Sequence, residues 1–140
     1  MQQGIIEKNH MDILWHDYAL NKEDTIPITK AGLIEKASVV GRCGMMLLSC
    51  GTGAWRVRSS MNTLSRELGI SCTADIGLMS IEYTCFDGEN CFSQSLCLTN
   101  TGVNTSKLNR LENFINDFPT KEKYLSGEQI HSYLDEIERI

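Results

Sequence analysis

The sequence has no long apolar run. Its longest is Met45-Met46-Leu47-Leu48, whereas a membrane-spanning helix needs roughly 20 such residues. The chain as it stands is therefore expected not to cross a bilayer. The opening stretch, MQQGIIEKNHMDILWHD, also lacks the apolar segment of a secretory signal. Basic stripes are missing too. With 13 Lys and Arg against 18 Asp and Glu, the net charge is −5, which argues against a nucleic-acid binder. The six cysteines, at 43, 50, 72, 85, 91 and 97, include no Cys-x-x-Cys pair. That excludes a zinc ribbon and a thioredoxin-like site. Without a secretory signal they read as free, mostly buried thiols of a cytosolic domain. The histidines are His10, His16 and His131, none in a metal-ligand spacing. No metal and no cofactor is expected. A Gly-x-Ser-x-Gly elbow is also absent.

What is present is organised around Cys43 to Ile70. One helix ends there, a corner follows at Gly51-Thr52-Gly53, and a second helix begins. Ala54, Val57, Met61, Leu64 and Leu68 fall on one stripe of that second helix. Gly69 then stops it. The first helix is expected from an N-cap at Thr29 to about Cys50, burying Leu33, Ala37, Val40, Gly44 and Leu47 or Leu48 and turning Lys36 and Arg42 away. Gly41 and Gly44, one turn apart, are expected to let the second helix fold back closely as an αα-hairpin.

Beyond Gly69 the apolar period becomes two. Met79, Ile81, Tyr83 and Cys85 alternate with polar residues, Asp87-Gly88-Glu89-Asn90 makes a turn, and Phe92, Leu96 and Leu98 alternate again. The pattern is a β-hairpin. Asn104 or Thr105 caps a third helix carrying Leu108, Leu111, Ile115 and Phe118, closed by Pro119. Ser126 and Gln129 fit a capping box for a fourth, which buries Ile130, Tyr133 or Leu134, Ile137 and Ile140 and meets the chain end without a stop signal. The order α-α-β-β-α-α gives an α+β domain, a helical layer over one face of a small antiparallel sheet. Residues 1–28 read as a tail or arm, with a Trp15 patch that docks on the domain or on a partner. Residues 29–140 read as the domain itself.

The chemistry visible in this pattern is sparse. Gly51-Thr52-Gly53 lacks the Gly-x-Gly-x-x-Gly pattern and follows a helix, so it reads as a corner and not as a nucleotide loop. His131, between Glu128 and Asp135, reads as a surface helix residue. Trp55 reads as core. Arg56 reads as the partner of Asp75 or Glu82 across the fold, or of a carboxylate ligand or a second chain.

Leu47-Leu48-Ser49-Cys50-Gly51-Thr52-Gly53-Ala54-Trp55-Arg56-Val57, followed by Met61, Leu64 and Leu68-Gly69-Ile70, resembles the threonine/serine exporter family. There a Leu-Leu-x-x-Gly-Ala corner leads to an Arg-Val-Glu helix, an apolar hairpin, and a Gly-x-Asn element opening another helix. Gly102-Val103-Asn104 and Leu108 fill that last element. The resemblance runs from about Ala31 to Ile140. Thr52 stands where the family usually has alanine, and Arg58 where it usually has an acid.

The resemblance implies an N-terminal soluble domain on the cytoplasmic side of the plasma membrane. Such a domain would gate, assemble or sense substrate for a membrane-spanning domain or subunit that exports threonine, serine or a dicarboxylate. It puts Gly51, Arg56 and Asn104 forward as substrate-binding or gating residues, with no catalytic residue. Two other readings stay open. One is a small hydrolase using Arg56, Asn104 and a serine or cysteine. The other is a module that binds a second copy of the chain through its last helix and hairpin edge.

Overall fold

The computed structural model describes residues 8–9, 12–19 and 26–140; His10 and the polar stretch Asn21-Lys22-Glu23-Asp24 lie outside them. Helix α1 (Leu33–Ser49) is the centre of the molecule. Thirteen of its 17 residues are buried, so it is covered on all sides and not only along one stripe. It starts later than a Thr29 cap would place it. Ile28–Lys30 form a short 3-10 turn, Ala31 is extended, and Gly32 takes the N-cap position without a side-chain cap. The cause is tertiary: Ile28 is fully buried and its N–H donates to the Leu125 carbonyl at 2.7 Å.

Helix α2 (Ala54–Glu67) returns along α1 and buries Val57, Met61 and Leu64. Its first turn is open. Ala54 is exposed, and Trp55, expected in the core, is 76% exposed. The stripe therefore begins one turn later than the apolar spacing suggests. Gly44 does face α2, where an added Cβ would come within 2.6 Å of the Met61 sulfur. Gly41 faces the sheet instead, and a Cβ there would strike the Tyr83 ring.

The sheet contains β2 (Ser71–Ile76), β3 (Ser80–Phe86) and β4 (Cys91–Cys97), each antiparallel to the next. The short strand β1 (Lys8–Asn9) joins β4 in parallel, giving the order β1-β4-β3-β2. Strand β2 is an addition to the expected hairpin. Its inward residues, Cys72, Ala74 and Ile76, are only half-buried at the sheet edge, so their alternation is muted in the sequence. Ile81, Tyr83 and Cys85 of β3 are buried under the helices, while Glu82 and Phe86 are exposed. The hairpin turn is as expected. Asp87 Oδ1 accepts from the N–H groups of Glu89 and Asn90 at 2.9 and 2.7 Å, and Gly88 takes a φ of 100°.

Helix α3 (Thr105–Asp117) begins at an Asn104 cap, and α4 (Gly127–Glu138) at a full capping box between Ser126 and Gln129. Phe114 meets Phe118 and Tyr133 edge-on at centroid distances of 5.7 and 5.5 Å. Leu111, Ile130, Leu134 and Ile137 complete this part of the core. Ile140 does not join it: α4 stops at Glu138, and Ile140 is 41% exposed. The architecture is α+β, with the helices on one face of the antiparallel sheet. Among the described residues no helix is long and apolar enough to cross a membrane.

Candidate functional site

Three helix ends converge beside the glycine corner. At the end of α1 the Gly51 N–H donates to Leu48 O at 3.0 Å and the Thr52 N–H to Leu47 O at 3.2 Å. This is a Schellman closure, and Gly51, at φ 88°, supplies the left-handed residue it requires. Gly69 and Ile70 end α2 in the same way, through Arg66 O and Ser65 O. Gly53 needs no such freedom. It is the N-cap of α2 at φ −67°, and a Cβ there would meet nothing within 4 Å.

The loop ahead of α3 lies on this corner. The Gly102 N–H donates to Ser49 O at 3.2 Å, and Val103 packs against Gly51. Asn104 then works in two directions. Its Oδ1 accepts from the Lys107 N–H at 3.0 Å, and its Nδ2 donates to Ile140 O at 3.2 Å. It thereby ties the start of α3 to the residues that follow α4. Lys107 Nζ meets Glu138 Oε2 at 3.0 Å, with both side chains mostly covered. Between these groups lies a cleft of about 410 Å³, lined among others by Ser49, Thr99, Asn100, Asn104, Lys107 and Glu138.

The cleft has charge of both signs. The N-terminus of α3 and Lys107 supply positive potential, and Glu138 with the end of α4 supplies negative potential. Such a site suits a small molecule that carries an ammonium and a carboxylate. Cys50 also lines it, but burial pushes its thiol up and outweighs the opposing effect of Lys107. It is not an activated nucleophile.

Asn104 lines the cleft, Gly51 lies beside it against Val103, and neither Gly51 nor Arg56 is part of the lining. Arg56 pairs with Glu112 of α3 on the surface, where an exposed ion pair contributes about 0–1 kcal/mol. The partners expected for it, Asp75 and Glu82, lie opposite each other on the exposed sides of β2 and β3, across the sheet from the helices. Arg58 spans instead to the sheet edge and donates to Ala74 O at 3.2 Å.

A second polar cluster overturns two expectations from the sequence. Arg42 is 4% exposed and His131 is fully buried, so neither is a surface group. Arg42 Nη2 donates to Asp135 Oδ1 at 2.6 Å and Nη1 to the His131 carbonyl at 3.1 Å. Nη1 also lies 3.2 Å from His131 Nδ1. Guanidinium can only donate, so Nδ1 accepts and the ring proton sits on Nε2. Nε2 in turn faces Ser38 Oγ at 2.9 Å, and the Ser38 hydroxyl donates to Glu35 O at 2.7 Å. A serine beside a histidine resembles half a hydrolytic site, but the protons point the wrong way for a general base. The sequence did carry a signal. Ser38 and Arg42 are four apart on α1, and His131 and Asp135 are four apart on α4, so each pair shares a helix face.

The arm closes over this cluster. Trp15 stacks on His131 at 6.1 Å, and Arg42 sits over the Trp15 ring at 6.0 Å. His16 lies 2.7 Å from Asp135 Oδ2 and 3.1 Å from Glu128 Oε2. Burial works against its charged form, yet the two carboxylates prevail and its pKa is raised. Asp135 is partly buried, which favours its neutral form, but Arg42 and His16 hold its carboxyl below the usual range.

A mostly buried central helix, a sheet covered on one face and a bipolar cleft between helix ends define an α+β domain. Residues 38–140 match the family model described as "putative threonine/serine exporter", and the chain belongs to that family, whose members are transporters. No curated protein and no solved structure matches the chain.

Proposed function

We propose that the chain is the cytoplasmic-side soluble domain of a threonine/serine exporter, and that it senses solute for transmembrane export at the cleft lined by Asn104, Lys107 and Glu138, beside the Gly51 corner. The supporting observation is that family membership and cleft chemistry agree. A covered ammonium–carboxylate pair, Lys107 and Glu138 at 3.0 Å, sits between helix ends of opposite polarity and can exchange its internal pairing for the two charges of an amino acid. In this reading Gly51 fixes the corner and Asn104 fixes the two helix ends, so that solute binding is transmitted to the residues after α4. Trp55 and Val103, exposed by 76% and 85%, give the membrane-spanning domain or subunit an apolar surface to dock on. Arg56, outside the cleft, belongs to this docking side.

Calorimetric titration with L-threonine, L-serine and succinate tests the site. The expected result is binding of the amino acids that is lost in Lys107→Gln and in Glu138→Gln. The same heats in both variants, or no heat with any of the three solutes, would overturn the sensing role.

A further inference from the structure

Strands β2 and β3 carry a cysteine pair that the exporter reading does not use. Cys72 and Cys85 stand directly opposite each other in the ladder. Their type of pairing follows from the turn that joins the strands. Gly77 N–H donates to Ser80 O at 2.8 Å, which makes Gly77 and Ser80 a hydrogen-bonded pair. Bonded and non-bonded pairs alternate along an antiparallel ladder. Ile76–Ile81 is then non-bonded, Asp75–Glu82 bonded, Ala74–Tyr83 non-bonded, Thr73–Thr84 bonded and Cys72–Cys85 non-bonded. The outward-facing Ala74 carbonyl, which Arg58 reaches, agrees with this count. Non-bonded pairs bring their Cα atoms to about 4.5 Å, inside the span of about 4.4–6.8 Å that a disulfide bridges.

The two thiols already interact. Cys85 shares a hydrogen bond with Cys72, and this is the main cause that lowers the Cys72 thiol and raises that of Cys85, with burial adding to the rise at Cys85. Access is unequal. Cys72 is half-buried at the edge strand, while Cys85 is fully buried. One sulfur is therefore reachable and inclined to ionise, and its neighbour is shielded and ready to resolve.

We infer that Cys72 and Cys85 are a reversible modification site, a dithiol that a low-molecular-weight disulfide converts into an intrachain disulfide. The Cys72 thiolate attacks one sulfur of the small disulfide, and one small thiolate leaves. Cys85 gives its proton to that thiolate and attacks the Cys72 sulfur, and the second small thiolate leaves and takes up from water the proton that Cys72 lost on ionising. Two protein thiols and one small disulfide become one protein disulfide and two small thiols. Once Cys72 is capped it no longer holds the Cys85 proton, so the second step is released by the first. The product pins the edge strand β2 to β3 beneath α2.

The test treats the reduced protein with glutathione disulfide, blocks remaining thiols and digests without reduction. Cleavage after Glu67, Glu82 and Glu89 places Cys72 and Cys85 on separate peptides. The expected product joins those two peptides, shows the loss of two hydrogen atoms in the intact mass, and reverts with dithiothreitol. Cys72→Ser, a change at the half-buried member, should abolish the joined product and leave Cys85 unmodified. A stable glutathione adduct on Cys72 with no joined product would overturn the inference. So would reaction confined to the exposed Cys91.

Discussion

Arg42 Nη2 and Asp135 Oδ1 lie 2.6 Å apart, joining the central helix to the last one, with the guanidinium 4% exposed and the carboxylate about a third exposed. The arrangement is asymmetric. Asp135 can fall back on water, whereas Arg42 cannot. Losing Asp135 therefore strands a buried cation. Breaking a fully buried pair costs about 3–5 kcal/mol, and the exposure of Asp135 discounts that. Asp135→Asn should lower stability by about 1–3 kcal/mol, read as a lower urea midpoint at neutral pH. The effect should exceed that of Glu112→Gln, which removes only the surface partner of Arg56.

The same carboxylate makes arm docking depend on pH. His16 faces Glu128 and Asp135, with Arg42 behind Asp135 and the His131 ring 5.8 Å away. Its folded pKa lies above 6.5, so its contribution is full below that value and fades as the pH rises through the folded pKa. The Asp135 pKa lies below 3.8 in the folded chain, so its contribution is present above that value and fades as the pH falls through the lowered one. Docking should be tightest between these limits, in mildly acidic solution. In a Trp55→Phe background, Trp15 fluorescence should shift toward its exposed form as the pH rises through the raised pKa of His16. His16→Gln should flatten that shift.

Two glycines on α1 should differ in cost. A methyl group at Gly41 meets the rigid Tyr83 ring, whose hydroxyl is fixed between Ala37 O at 3.0 Å and Gln94 Oε1 at 2.8 Å. At Gly44 it meets the flexible Met61 side chain, which can give way. Overpacking in a core costs about 1–3 kcal/mol. Gly41→Ala should sit at the upper end, while Gly44→Ala, helped by helix propensity, should be near neutral. Thermal unfolding of the two variants measures the difference.

The helix stripes, the hairpin turn, the Asn104 cap and the Ser126–Gln129 box were legible because each is local, a matter of spacing or of one side chain reaching its own backbone. What was not legible depended on packing around α1. No stripe marks a helix buried on all sides, so the spacing turns Arg42 away from the core and Gly41 toward α2, whereas Arg42 is buried and Gly41 faces Tyr83. His131 looked like a surface group because its partners come from α1 and the arm, far away in the chain. Strand β2 was missed because an edge strand needs little apolar content. At the corner, it is the family resemblance that puts Gly51 and Asn104 forward. Lys107 and Glu138, which give the cleft its charge, sit on ordinary polar helix faces and only their meeting sets them apart.

Efflux of labelled threonine tests the central claim most directly. The measurement uses cells that produce the chain together with the membrane-spanning domain or subunit proposed for it, comparing the native sequence with Lys107→Gln and Asn104→Asp. The aspartate keeps the cap on α3 but cannot donate to Ile140 O, so it separates coupling from folding. The account predicts that both variants accumulate normally and lose most of the efflux. Full efflux from both would contradict it and would leave the cleft without a part in transport.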